Sequence, residues 1–175
     1  LAYNFNQYGG TINGGLNIIP PSGTTTFNYK GGTINGIVTI NNGDLIVRPP
    51  ATTGNFIMTG KGSNIFAFGN VTPTMSLTLR ATSVNSNGHY VVYLGAASNE
   101  GTITLDSVDG GYGTLLLLPS TFDNNGLIQT KPAAVNMHRI GSGGELRNHG
   151  TIDIGENTLI DSVDNTGQIT ITAGK

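Results

Sequence analysis

The sequence predicts an all-β protein, most specifically a parallel β-solenoid of about seven stacked coils. Three observations predict it: a composition hostile to helices, a short phrase recurring at coil spacing, and strand-like alternation after each copy. Of 175 residues, 27 are Gly, 20 Asn and 23 Thr, together 40% of the chain. All three are poor helix formers, while Thr favours strands and Gly and Asn favour turns. A helical bundle is thereby excluded. Disorder is not expected, because it combines low hydrophobicity with high net charge. Here 37% of residues are hydrophobic, the formal net charge is −2 and the mean hydropathy is −0.04.

The phrase is Asn, any residue, Gly, any residue, Ile, any residue, then an apolar residue or Thr. It starts at Asn99, Asn124, Asn148 and Asn165, so successive copies lie 25, 24 and 17 residues apart. A related copy runs from Asn41 to Val47, and Gly-Gly-Thr-Ile-Asn-Gly occurs at both Gly9 and Gly31. Such spacings suit one coil of a solenoid. The turn residues are then Asn99, Gly101, Asn124, Gly126, Asn148, Gly150, Asn165 and Gly167. Asn and Gly accept left-handed backbone better than other residues, which turns the chain. The x-Ile-x-Ile alternation that follows is a strand with one buried face. Identical Asn residues stacked coil over coil can also form side-chain amide ladders. The alternative is an antiparallel β-sandwich or jelly roll, in which the Asn-Gly pairs at Asn13, Asn35, Asn42, Asn87 and Asn125 close hairpins.

The chain reads as one domain over 1–175, with its most regular repeats in 97–172. Residues 48–98 read as irregular coils, with strands at 55–59, 65–68, 75–80 and 90–94. Loops there are the place for a binding surface, with Tyr90 and Tyr93 the nearest aromatic candidates. Residues 1–8 alternate Leu1, Tyr3 and Phe5 with small or polar residues and continue to Tyr8. They form either a strand capping the first coil or an exposed strand that pairs with another subunit.

The segments Phe122–Ile128, Leu146–Ile152 and Val163–Ile169 are similar to repeats of filamentous-haemagglutinin-type bacterial adhesins. That resemblance implies a right-handed parallel β-helix in a secreted surface protein, with no catalysis in the shaft. Spacings here are irregular, and the secretion-domain signature of that family is absent.

Little in the chain points to catalysis. His89, His138 and His149 are scattered and form no HExxH or similar metal-ligand pattern. Ser142, in Gly141-Ser-Gly-Gly144, is not a nucleophile elbow. The strongest acidic signal is Asp106-Ser-Val-Asp109, repeated as Asp161-Ser-Val-Asp164. Carboxylates three apart can share Ca²⁺, and Ser and Asp also terminate strands by bonding their own backbone. With no Cys there are neither disulfides nor thiolate metal sites. Eight dispersed Lys and Arg give no nucleic-acid footprint, and no apolar run is long enough to span a membrane as a helix. Charge is uneven: residues 1–95 hold four bases against Asp44, while residues 96–175 hold nine acids against four bases.

The expected function is therefore structural and non-catalytic, without a cofactor other than possible calcium. It is that of an extracellular or cell-surface bacterial protein, an adhesin shaft or a self-assembling filament or matrix subunit. Its partners are further copies of itself or a host or matrix surface. The alternatives are a carbohydrate-binding or polysaccharide-processing β-helix module, and a strand-exchanging jelly-roll pilin.

Overall fold

The computed structural model describes residues 3–59, 65–82, 90–95, 98–108, 113–118, 120–131, 137–141 and 144–172. Among them there is no helix. The first coil comprises Tyr3–Gln7 (β1), Thr11–Ile12 (β2) and Leu16–Ile18 (β3), and the second Thr25–Tyr29 (β4), Thr33–Ile34 (β5) and Ile37–Asn41 (β6). The third has Gly43–Val47 (β7) and Thr53–Thr59 (β8), and the fourth Ile65–Phe68 (β9) and Thr74–Ala81 (β10). Next come Tyr90–Leu94 (β11), Ser98–Asn99 (β12) and Thr102–Ser107 (β13), then Thr114–Leu117 (β14), Phe122–Asn124 (β15) and Leu127–Thr130 (β16). The last two coils are His138–Gly141 (β17), Leu146–Asn148 (β18) and Thr151–Ile154 (β19), followed by Thr158–Ile160 (β20), Val163–Asn165 (β21) and Gln168–Ile171 (β22).

Successive coils stack strand on strand. Two sheets of eight strands run the length of the molecule, β1-β4-β7-β9-β11-β14-β17-β20 and β3-β6-β8-β10-β13-β16-β19-β22. The third face holds a four-stranded sheet, β12-β15-β18-β21, and a two-stranded one, β2-β5. Every pairing among the described strands is parallel. That excludes the antiparallel sandwich and the jelly roll, which need hairpin pairing. The strands expected in the irregular segment 48–98 are found at Thr53–Thr59, Ile65–Phe68, Thr74–Ala81 and Tyr90–Leu94.

Parallel stacking lines up equivalent positions into columns that cross the molecule. One inward column of the second sheet is Leu16, Val38, Phe56, Leu77, Ile103, Ile128, Ile152 and Ile169. Its neighbour is Ile18, Ile40, Met58, Leu79, Leu105, Thr130, Ile154 and Ile171. Val38, Ile40, Met58, Leu79, Ile103, Leu105, Ile128 and Ile152 are fully buried, and each such side chain contributes about 1.5–3 kcal/mol. Thr130 is the polar exception, and its Oγ accepts from the Gly155 N–H and the Thr158 hydroxyl. At the N-terminal end the first sheet adds aromatics: Phe27 lies 5.3 Å from Phe5 and 6.3 Å from Phe56.

Candidate functional site

The repeated Asn-x-Gly phrase builds a continuous ladder on the third face. Asn99, Asn124, Asn148 and Asn165 stand directly over one another at the ends of β12, β15, β18 and β21. The Nδ2 of each of the first three donates to the Oδ1 of the next at 2.7 Å. The second N–H of each amide reaches a backbone carbonyl of the following coil: Leu127, Thr151 and Gln168 respectively. The backbone repeats the pattern, since the Asn99 carbonyl accepts from Asn125 and Gly126, and the Asn124 carbonyl from His149 and Gly150. Asn99, Asn124 and Asn148 are wholly buried, so this bonding is what makes burying three amides tolerable. The exception lies at the ladder's start. The Asn99 Oδ1 is buried without a partner, because the residue bridged to Asn99 in the preceding coil is Val71.

The turn residues sit at bends as expected, but the backbone reason differs. Neither the four Asn nor the four Gly of the phrase has a positive φ; the only non-Gly residue with one among those described is Asn42, at 52°. Gly is required instead by the closeness of the coils. A Cβ on Gly126 would lie 2.3 Å from the Gly101 carbonyl oxygen, and one on Gly150 would lie 2.2 Å from that of Gly126. The copy at Asn41 is not equivalent: Asn42 makes a left-handed corner between β6 and β7, away from the ladder. The Gly9 and Gly31 copies do stack, with Thr11–Ile12 on Thr33–Ile34 and Asn35 Nδ2 donating to Asn13 Oδ1 at 2.9 Å.

The acidic repeat does not form one site. Asp106 lies on β13 and accepts from Arg80 Nε at 2.9 Å, its register partner in the coil below. Asp161 follows β20 in the other long sheet and takes both Nε and Nη2 of Arg139. Asp164 stands in register with Arg147 on a third strand, and Asp109 lies outside the described residues. Identical words thus occupy different faces, and the first Asp of each is committed to an Arg. No cluster of three metal-ligating side chains occurs among the described residues.

His138 was not distinguishable in the sequence from the other histidines, yet it is fully buried. Its Nδ1 accepts from the Thr114 N–H at 3.0 Å, which leaves the proton on Nε2, facing the Lys131 carbonyl at 2.7 Å. It ties three segments of backbone together. His149 is exposed and bonds Thr166. His89, Ser142 and the side chains of Tyr90 and Tyr93 lie outside the described residues.

The two outermost coils expose the core in cross-section. At one end β1 is a full rung of the first coil, paired on one edge with β4 and open on the other. Tyr3 and Phe5 are each 38% exposed, Tyr8 66% and Ile19 60%. Tyr3, Phe5, Ile18, Ile19 and the two prolines Pro20 and Pro21 line a shallow groove of about 180 Å³. The Lys30 ammonium sits 4.7 Å from the Tyr8 ring. Leu1 lies outside the described residues. At the other end Ile171 is 63% exposed and Ile169 36%. This second surface escaped the sequence reading, although the last repeat carries the same Ile-x-Ile as the inner ones. Among the described residues no helix is long and apolar enough to cross a membrane.

Compared with known proteins, the chain matches no family model, no curated protein and no solved structure.

Proposed function

We propose that this chain is a non-catalytic structural rod: the shaft of an extracellular bacterial adhesin or a subunit of a self-assembling filament or matrix. The observation that carries this is the uninterrupted Asn99-Asn124-Asn148-Asn165 ladder beside two inward columns eight residues long, apolar but for Thr130. Nearly every repeated residue is engaged in holding one coil to the next. Two of the four candidate acids, Asp106 and Asp161, are paired with Arg80 and Arg139 across coils. The low charge fits as well, because stacked coils bury most of their repeated positions against one another. Adhesion and a cell-surface location follow from the resemblance of residues 97–172 to adhesin repeats.

Electron microscopy of the purified native protein, beside a glycan array and a polysaccharide-hydrolysis assay, tests the proposal. Rods or filaments with neither glycan binding nor hydrolysis are expected. Saturable glycan binding by dispersed molecules would establish the carbohydrate module instead.

A further inference from the structure

Thr114, His138 and Thr158 stand over one another at the starts of β14, β17 and β20. Each side chain clasps the corner that its own chain has just turned. The Thr114 hydroxyl reaches the Asp106 carbonyl at 3.0 Å, and the Thr158 hydroxyl reaches the Glu156 carbonyl at 2.9 Å. At the middle position the clasp is the His138 Nε2, 2.7 Å from the Lys131 carbonyl. The ring does more than the threonines, because its Nδ1 also accepts the Thr114 N–H of the coil below at 3.0 Å. A hydroxyl stays neutral at any pH a protein meets, whereas an imidazole changes charge near neutrality. One clasp of the column is therefore titratable.

Only the neutral ring fits this position. Nδ1 can accept an N–H only while it carries no proton of its own. A second proton would set N–H against N–H and strand two donors where both His138 and Thr114 are wholly buried. In an opened corner, water accepts from both ring nitrogens. The open corner thus binds a proton that the closed one refuses. Closure is at full strength above about pH 6.5 and weakens as the pH falls below it.

We propose that His138 is an acid-released latch, a neutral clasp that lets go of Thr114 and Lys131 when its ring is protonated. Release frees the corner that joins β16 to β17, while the Asn124–Asn148 bond on the third face still holds the same two coils. The inference goes beyond the rod reading by giving the stack a joint that mild acid loosens. Among the described residues, the ionisable groups on the elements around this corner are Arg80, Asp106, Lys131, Arg139, Glu156 and Asp161. Arg80 holds Asp106 and Arg139 holds Asp161, and Lys131 is exposed. Glu156, on the coil above, is 9% exposed, and its Oε1 accepts from the Asn157 N–H. Its own protonation in acid would imitate the latch, so the test separates the two.

Amide exchange followed by NMR from about pH 7.5 to about pH 5, corrected for the intrinsic rate, tests the latch in wild type, His138→Gln and Glu156→Gln. In wild type the protection of the Thr114 N–H should fall roughly tenfold per pH unit below about 6.5. The N–H groups of Gly126 and Gly150, bonded to ladder carbonyls, should keep theirs. Glutamine retains a donor and an acceptor without titrating, so the fall should vanish in His138→Gln and persist in Glu156→Gln. The ring signals of wild type give a second readout: His138 should remain neutral, with its proton on Nε2, at about pH 6.5. A ring already half-protonated there in the folded protein overturns the proposal. So does Thr114 protection that ignores pH, or a fall that survives His138→Gln or disappears in Glu156→Gln. Should His138→Gln fail to fold, the ring titration of wild type decides alone.

Discussion

Asn99 and Asn124 are 25 residues apart in the chain, and their side-chain amides meet at 2.7 Å. Each coil of this region repeats that relationship, so one amide serves as acceptor from below and donor to above. The phrase recurs because both halves of the amide are used. Aspartate has nearly the same shape but no donor.

Asn124→Asp should accordingly break the ladder on its donating side while still accepting from the Asn99 Nδ2. The Asn148 Oδ1 and the Thr151 carbonyl lose their donor, and a buried carboxylate faces two oxygens. The expected cost is about 3–5 kcal/mol, or a Tm lower by roughly 10 °C, read by thermal unfolding. An unchanged Tm would mean that the ladder contributes nothing to stability.

The glycines of the phrase make a different claim. Gly126→Ala places a methyl group 2.3 Å from a backbone oxygen that cannot retreat without parting two coils. Gly9 has neither a neighbour within 4 Å nor a positive φ, so Gly9→Ala is the control. Denaturant unfolding should show about 1–3 kcal/mol or more lost in the first and within about 0.5 kcal/mol of wild type in the second. Equal effects would show that coil spacing is not what requires Gly there.

Val71 leaves the Asn99 Oδ1 without a donor. A threonine at 71 keeps the shape and adds a hydroxyl on the residue bridged to Asn99. A buried hydroxyl without a partner ordinarily costs about 1–3 kcal/mol. Val71→Thr should cost distinctly less than Val38→Thr, made in the apolar column. Equal losses from the two in parallel unfolding measurements would count against a hydroxyl reaching the amide.

Calcium should leave the rod indifferent. Asp106 also accepts from the Ser107 N–H, and Asp161 is held by two nitrogens of one guanidinium. Each carboxylate thus has an oxygen already committed to an Arg. Scanning calorimetry with added Ca²⁺ and with a chelator should give one Tm, and a rise with Ca²⁺ would point to a site these carboxylates join after all. Asp106→Ala, by contrast, should lower the Tm in both conditions, as it leaves a half-buried Arg80 unpaired.

Much of this architecture is legible in the residues. The spacing of Asn99, Asn124, Asn148 and Asn165 equals the rise of the chain by one coil, because a ladder works only if the same residue returns to the same place. The strands at 55–59, 65–68, 75–80 and 90–94 are legible as strand-forming stretches separated by Gly, Asn, Ser and Pro. Local identity also misleads. Asp106-Ser-Val-Asp109 and Asp161-Ser-Val-Asp164 are the same word in different corners, and the Asn42 turn resembles the ladder phrase without belonging to it. Four residues specify a turn or a strand end, but which face they reach depends on the length of everything before them.

By itself the sequence determined the class of fold, the period of the coils, the inward Ile and Leu positions and the identity of the ladder residue. These follow from propensity, alternation and repetition, all of which act over a few residues or at a fixed spacing. Only the tertiary structure decided why Gly stands in the phrase, since its neighbour is a carbonyl of another coil and not its own backbone. It alone distinguished the buried His138 from the exposed His149, by bringing Thr114 and Lys131 to its ring. It alone set Ile169 and Ile171 on an open face opposite the one formed by Tyr3 and Phe5. Burial and exposure of identical repeats depend on whether another coil lies above, and a repeat does not record its own position in the stack.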